Sequence, residues 1–96
     1  MARYRKKPVE IDAIQNDGEW PPIMNWLDEI SGGGFPVPIG IPIVRRNSDG
    51  TLSVDTLEGT MRCDVGDWLI RGIAGEFYPC KPDIFHASYE EVLHMS

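Results

Sequence analysis

Apolar and polar positions alternate near the start of the chain. Val9, Ile11 and Ala13 fall on one face and Glu10 and Asp12 on the other, which predicts a strand over residues 4–14. Gln15-Asn16-Asp17-Gly18 then supplies turn chemistry. The period changes next. Ile23, Trp26, Leu27 and Ile30 recur at helical spacing behind Trp20-Pro21-Pro22, and proline is tolerated in a first helical turn, where its missing N–H has no partner to lose. An amphipathic helix over about residues 21–31 follows, ended by Ser31 and Gly32-Gly33-Gly34.

Phe35 to Pro42 reads F-P-V-P-I-G-I-P. Prolines at this density remove ladder donors and exclude a central strand, so the segment is expected to be an extended edge or loop lying over a site. Two strand patterns, Ile43–Arg46 and Thr51–Leu57, flank the hairpin turn Asn47-Ser48-Asp49-Gly50, with glycine where positive φ is needed. Thr60–Cys63 forms a further short strand. Trp68–Arg71 and Glu76–Cys80 form a second hairpin around Gly72 and Gly75, and Lys81-Pro82-Asp83 starts a short helical turn carrying Ile84 and Phe85. Tyr89–Leu93 reads as a last strand or a frayed turn. The expected fold is α+β and β-dominated: one domain over residues 1–96, a small antiparallel sheet or partly open barrel of hairpins, and one amphipathic helix.

Ten glycines and eight prolines among 96 residues fit such short elements. The net charge of −6 argues against duplex nucleic acid, whose phosphates need a positive face. The run Arg3, Arg5, Lys6, Lys7 reads as a solvated edge beside the first strand. No apolar stretch approaches the roughly 18 to 20 residues of a membrane span, and no apolar run of signal-peptide type follows the basic start. A cytosolic protein with reduced thiols at Cys63 and Cys80 is therefore expected.

The chain has no GxSxG elbow, HExxH or Walker loop, and His86 and His94 lack the paired spacing of a zinc site. No cofactor or metal is expected. Asp67, Glu76 and Asp83 lie near one hairpin and could in principle pair, and an enzyme degrading a nucleotide would use Asp67, Glu76 or His86. Turn, strand-start and capping positions explain these carboxylates better. A Cys–His nucleophile from Cys63 or Cys80 with His86 would need a lowered thiol pKa. The aromatic and basic residues beside them point elsewhere. Arg71 and Lys81 flank the hairpin carrying Trp68, Phe77 and Tyr78, with Arg45 and Arg46 on the neighbouring hairpin. A cation takes phosphate and a ring stacks on a base, so Arg71, Lys81, Trp68, Tyr78 and Arg45 are candidate contacts to a nucleotide-like ligand. The alternative places Trp68 and Phe77 in the core and pairs Arg71 with Glu76.

Gly66 to Phe85, GDWLIRGIAGEFYPCKPDIF, together with Tyr89-Glu90, resembles the C-terminal signature of a family of small phage and prophage proteins. Ala2-Arg3-Tyr4-Arg5-Lys6-Lys7-Pro8-Val9 resembles that family's start, and Leu57-Glu58-Gly59-Thr60-Met61 its middle. Residues 16–47 carry least of the likeness. His86-Ala87-Ser88 departs from it, standing where the family has an acidic residue, alanine and threonine. The family carries no assigned activity. By class, the resemblance implies a compact β-rich phage accessory protein without catalysis. Such a homo-oligomer would bind and sequester a nucleotide-derived signal of bacterial antiphage defence, of ADP-ribose or cyclic type, as in Thoeris or CBASS systems. A module that docks on a host or phage protein through edge strands or an acidic face is the alternative.

Overall fold

The structure is a computed structural model that describes residues 2–3, 10–30 and 43–92. The expected strand positions 4–9, the proline-rich segment 35–42, the glycines 32–34 and His94 lie outside the described residues. The elements run β1 (Asp12–Gln15), α1 (Trp20–Ile30), β2 (Val44–Arg46), β3 (Leu52–Thr56), β4 (Gly59–Cys63), β5 (Trp68–Arg71), β6 (Phe77–Cys80) and α2 (Pro82–Ser88). The fold is α+β and β-dominated, as the pattern predicts. The strands divide between two three-stranded antiparallel sheets, ordered β1-β5-β6 and β2-β3-β4, and do not close into a barrel among the described residues. The helical turn expected at residue 82 extends to a second short helix, and residues 89–92 form no strand.

Side-chain alternation explains the division. In the second sheet Leu52 and Val54 on β3, Val44 on β2 and Cys63 on β4 point inward and are fully buried. Arg45, Ser53, Asp55, Thr60 and Arg62 share the opposite, polar face through the register of β2, β3 and β4. In the first sheet Leu69 and Phe77 turn toward the same core, with Ile14 beside them. The helix α1 covers the seam with Ile23 and Leu27, while Trp20, Trp26 and Ile30 pack at its margin. Trp26 meets Phe77 edge to face at 6.3 Å between ring centroids.

The first sheet is buried on both faces. Ile70 follows Leu69 and points the other way, yet both are fully buried. Ala13, Trp68, Tyr78 and Cys80 share the Ile70 face by register, and α2 lies over it through Phe85 and Tyr89. Pro79 is accommodated because β6 is an edge strand of its sheet.

One end of the domain is tied together by Asn16, which is 1 % exposed. Its Nδ2 donates to the Gly50 carbonyl at 3.0 Å and to the Cys63 carbonyl at 3.3 Å, while its Oδ1 accepts from the Gly18 N–H at 3.0 Å. Its backbone N–H donates to Asp67 O at 2.8 Å, and its own carbonyl accepts from the Gly66 N–H at 2.7 Å. The hairpin turn expected at 47–50 forms, with Gly50 at φ +88°, a backbone conformation that residues with a side chain rarely adopt.

Replacing Asn16 with Ala strands two buried carbonyls and one N–H. The expected loss is about 2–4 kcal/mol of unfolding free energy, read from urea denaturation of Asn16→Ala against the parent chain. A change below about 0.5 kcal/mol would contradict the tie.

Candidate functional site

The β5–β6 hairpin positions four of the five candidate contacts, but not on one surface. Trp68 and Tyr78 lie on the face under α2, with Ile70 between them. Alternation turns Arg71 to the opposite face, where its guanidinium reaches Asp12 at 3.9 Å, with both side chains substantially exposed. The partner is therefore Asp12 across the β1–β5 pair, not Glu76. The Glu76 carboxylate lies against Gly72 instead. Lys81 follows β6, and Arg45 stands on the outer face of the other sheet. Phe77 sits in the core, as one reading of the hairpin expects.

Two of the three cations are hydrogen-bonded to carboxylates. Lys81 Nζ donates to Asp64 Oδ2 and to Asp67 Oδ2, each at 2.9 Å. Asp67 is nearly buried, and the same oxygen accepts from the Asp64 backbone N–H at 3.0 Å. Arg62 joins through Asp64 at 2.6 Å and lies 3.9 Å from Asp49. The Asp67 and Asp64 hydrogen bonds raise the Lys81 pKa, so the ammonium stays charged, and Lys81 and Arg62 hold the Asp64 carboxyl below its usual range. Three carboxylates face two cations at this corner, leaving it net negative and unsuited to a phosphate. Asp67 thus fastens a turn to β6. Arg45 grips Asp55 with two parallel bonds of 2.9 and 3.0 Å, and Thr60 adds a hydroxyl donor at 2.8 Å. Its register partner is Ser53, so Asp55 is the diagonal neighbour two residues along β3.

The aromatic residues form a compact group. Trp68 and Phe85 stack with centroids 4.1 Å apart and planes 6° from parallel. His86 meets the edge of Trp68 at 5.8 Å, and Tyr89 tilts against Phe85 at 5.2 Å. The hydroxyls of Tyr78 and Tyr89 lie 3.4 Å apart, and burial followed by this contact raises the Tyr78 pKa. Among the described residues, the Trp68 indole N–H is buried with no acceptor. A buried donor without a partner costs about 1–3 kcal/mol. The sequence names Trp68 but gives no sign of its unpaired nitrogen, which depends on how α2 folds back.

The thiols are set against nucleophilic chemistry. Burial, with Asp67 and Asp64 nearby, pushes the Cys63 thiol up to about 12. Burial, with Asp67 and Asp83, also raises Cys80. Neither supplies a thiolate at neutral pH. Among the described residues, no group of three or more His, Cys, Asp or Glu side chains is placed to hold a metal ion. No helix among them is long and apolar enough to cross a membrane. Comparison with protein families, with curated proteins and with solved structures finds no match to this chain.

The Arg45–Asp55 pair makes a pH-dependent contribution. The bond from Arg45, then that from Thr60, lowers Asp55 to about 2, below the roughly 3.9 of a free aspartate. The folded state therefore binds fewer protons than the unfolded state between these values. The stabilisation is complete above about pH 4 and is lost as pH falls toward 2. Thermal melts between pH 5 and pH 2 should show the parent losing more Tm than Asp55→Asn. Parallel curves would contradict the assignment.

Proposed function

We propose that this domain works by binding without chemical turnover, and that it holds a planar small molecule bearing hydrogen-bond acceptors. In the specific form suggested by the phage resemblance, a homo-oligomer sequesters a nucleotide-derived signal of antiphage defence. The observation that carries the reading is the Trp68 ring, which combines a stacking face with a buried, unpaired indole N–H. A nucleobase supplies both complements, a π face and ring acceptors. Stacking of a base on an aromatic side chain is worth about 1–3 kcal/mol, comparable with the roughly 0.5–1.5 kcal/mol of an aromatic pair beyond its burial. A ligand ring can therefore compete with Phe85.

The charges refine the proposal. Lys81 and Arg45 serve their own carboxylates, so Arg71, held loosely at 3.9 Å, is the candidate best able to turn to a phosphate. It faces away from Trp68. A ligand needing both groups would draw Arg71 from a second copy of the chain, which favours a site shared between subunits. Raised thiol pKa values and an Asp67 carboxylate engaged by Lys81 favour binding over turnover.

A protein-docking role is the second reading. It is favoured by Leu57, fully exposed at the β3–β4 turn, and Ile73, 75 % exposed at the β5–β6 turn. Turn geometry requires an apolar side chain at neither position.

Isothermal titration calorimetry against ADP-ribose-type and cyclic nucleotides tests the first reading. The parent chain is expected to bind at least one of them at micromolar concentration. Trp68→Ala and Arg71→Ala should each weaken binding tenfold or more, consistent with about 1.5–3 kcal/mol for a charge-assisted contact. Circular dichroism should show both variants folded. Absence of binding by the parent chain would overturn the nucleotide reading and leave the docking role.

A further inference from the structure

We infer that α2 is a displaceable lid over the Trp68 face and that Phe85 occupies the place a ligand ring would take. The inference rests on the reading of that face as the binding site. Phe85 lies 4.1 Å from Trp68 and 6° from parallel, which is the placement of a stacked base. The helix carrying it is lightly held. α1 buries Ile23 and Leu27, whereas no residue of α2 is buried. Lys81 stands at its N-cap in an extended conformation and makes no capping bond from its side chain. At the other end, the Tyr78–Tyr89 hydroxyl contact of 3.4 Å is long for an O–H···O bond. The Phe85–Tyr89 ring contact is one turn apart on the chain and moves with the helix.

The hinge is built into the same corner. Lys81 precedes α2 and is fastened through its ammonium to Asp64 and Asp67, so the start of the helix stays in place while the rest swings. Opening uncovers Trp68, against which Phe85 stacks, on the sheet face it shares with the fully buried Ile70. Exposure of this face to water holds the lid shut when no ligand is present. In the closed state the Trp68 N–H has no acceptor among the described residues, and a ligand that replaces Phe85 supplies one. Phe85 is thus an internal competitor, and the apparent affinity is reduced by the fraction of molecules in which the lid is closed.

Two measurements on the full chain separate the lid from the site. Amide hydrogen exchange by NMR should show Phe85 and Tyr89, bonded to the Lys81 and Phe85 carbonyls, exchanging at least about tenfold faster than Val54 and Leu69 on the central strands. Calorimetry with ADP-ribose and 3′,5′-cyclic AMP should show Phe85→Ala binding at least one of them tenfold or more tighter than the parent, with strand amides still protected. Tyr89→Phe removes the latch hydroxyl and keeps the ring, so it should speed α2 exchange even if Phe85→Ala does not fold. Equal protection of α2 and the central strands would overturn the lid, whether or not the parent binds. Weaker binding by Phe85→Ala would make Phe85 a wall of the site and overturn the displacement. Fast α2 exchange with no binding by parent or variant would overturn the site reading instead.

Discussion

The carboxamide of Asn16 joins three parts of the chain that are far apart in sequence. It binds carbonyls at Gly50 and Cys63, while its backbone exchanges bonds with Asp67 and Gly66. The end of β1, the β2–β3 turn and the β4–β5 turn are therefore fixed relative to one another. The β4–β5 turn is where the chain passes from one sheet to the other. A buried amide that satisfies its donors and its acceptor at once allows little variation in geometry. On the core side, α1 packs Ile23 and Leu27 against residues of both sheets.

Lys81 adds an electrostatic fastening at the same end. Its two carboxylates lie in the β4–β5 turn, so the end of β6 and the start of α2 are set by the same residues that set the sheets. The two faces of the β5–β6 hairpin therefore differ. One face is core. The other carries Trp68, Ile70 and Tyr78 beneath a helix that buries none of its own residues. The cost of the arrangement is visible at the Trp68 N–H, which is buried without a partner among the described residues.

Much of the architecture was legible in the sequence because local chemistry determines it. Alternation in Leu52–Thr56, helical spacing from Ile23 to Ile30, and turn residues at 47–50 each specify their element. The split into two sheets was not legible, since β1 pairs with β5, far along the chain, and no local pattern encodes that choice. The candidate site was legible in residue type and not in placement. Trp68 and Tyr78 share a face as their strands suggest, but Arg71 is one residue out of phase with Ile70 and points away. Arg45 meets Asp55 only through the register of β2 on β3. Asn16 reads as an ordinary turn residue, and its buried role depends on three segments converging. The partners of Lys81 likewise come from a turn that its own neighbourhood does not announce.

The central claim is that this domain holds a small planar molecule at the Trp68 face. Native mass spectrometry of the protein purified from phage-infected, defence-active cells tests it most directly. The account predicts a homo-oligomer carrying a bound mass of several hundred daltons, absent from the Trp68→Ala protein prepared in the same way. A bare chain, or a bound mass that survives Trp68→Ala unchanged, would contradict it.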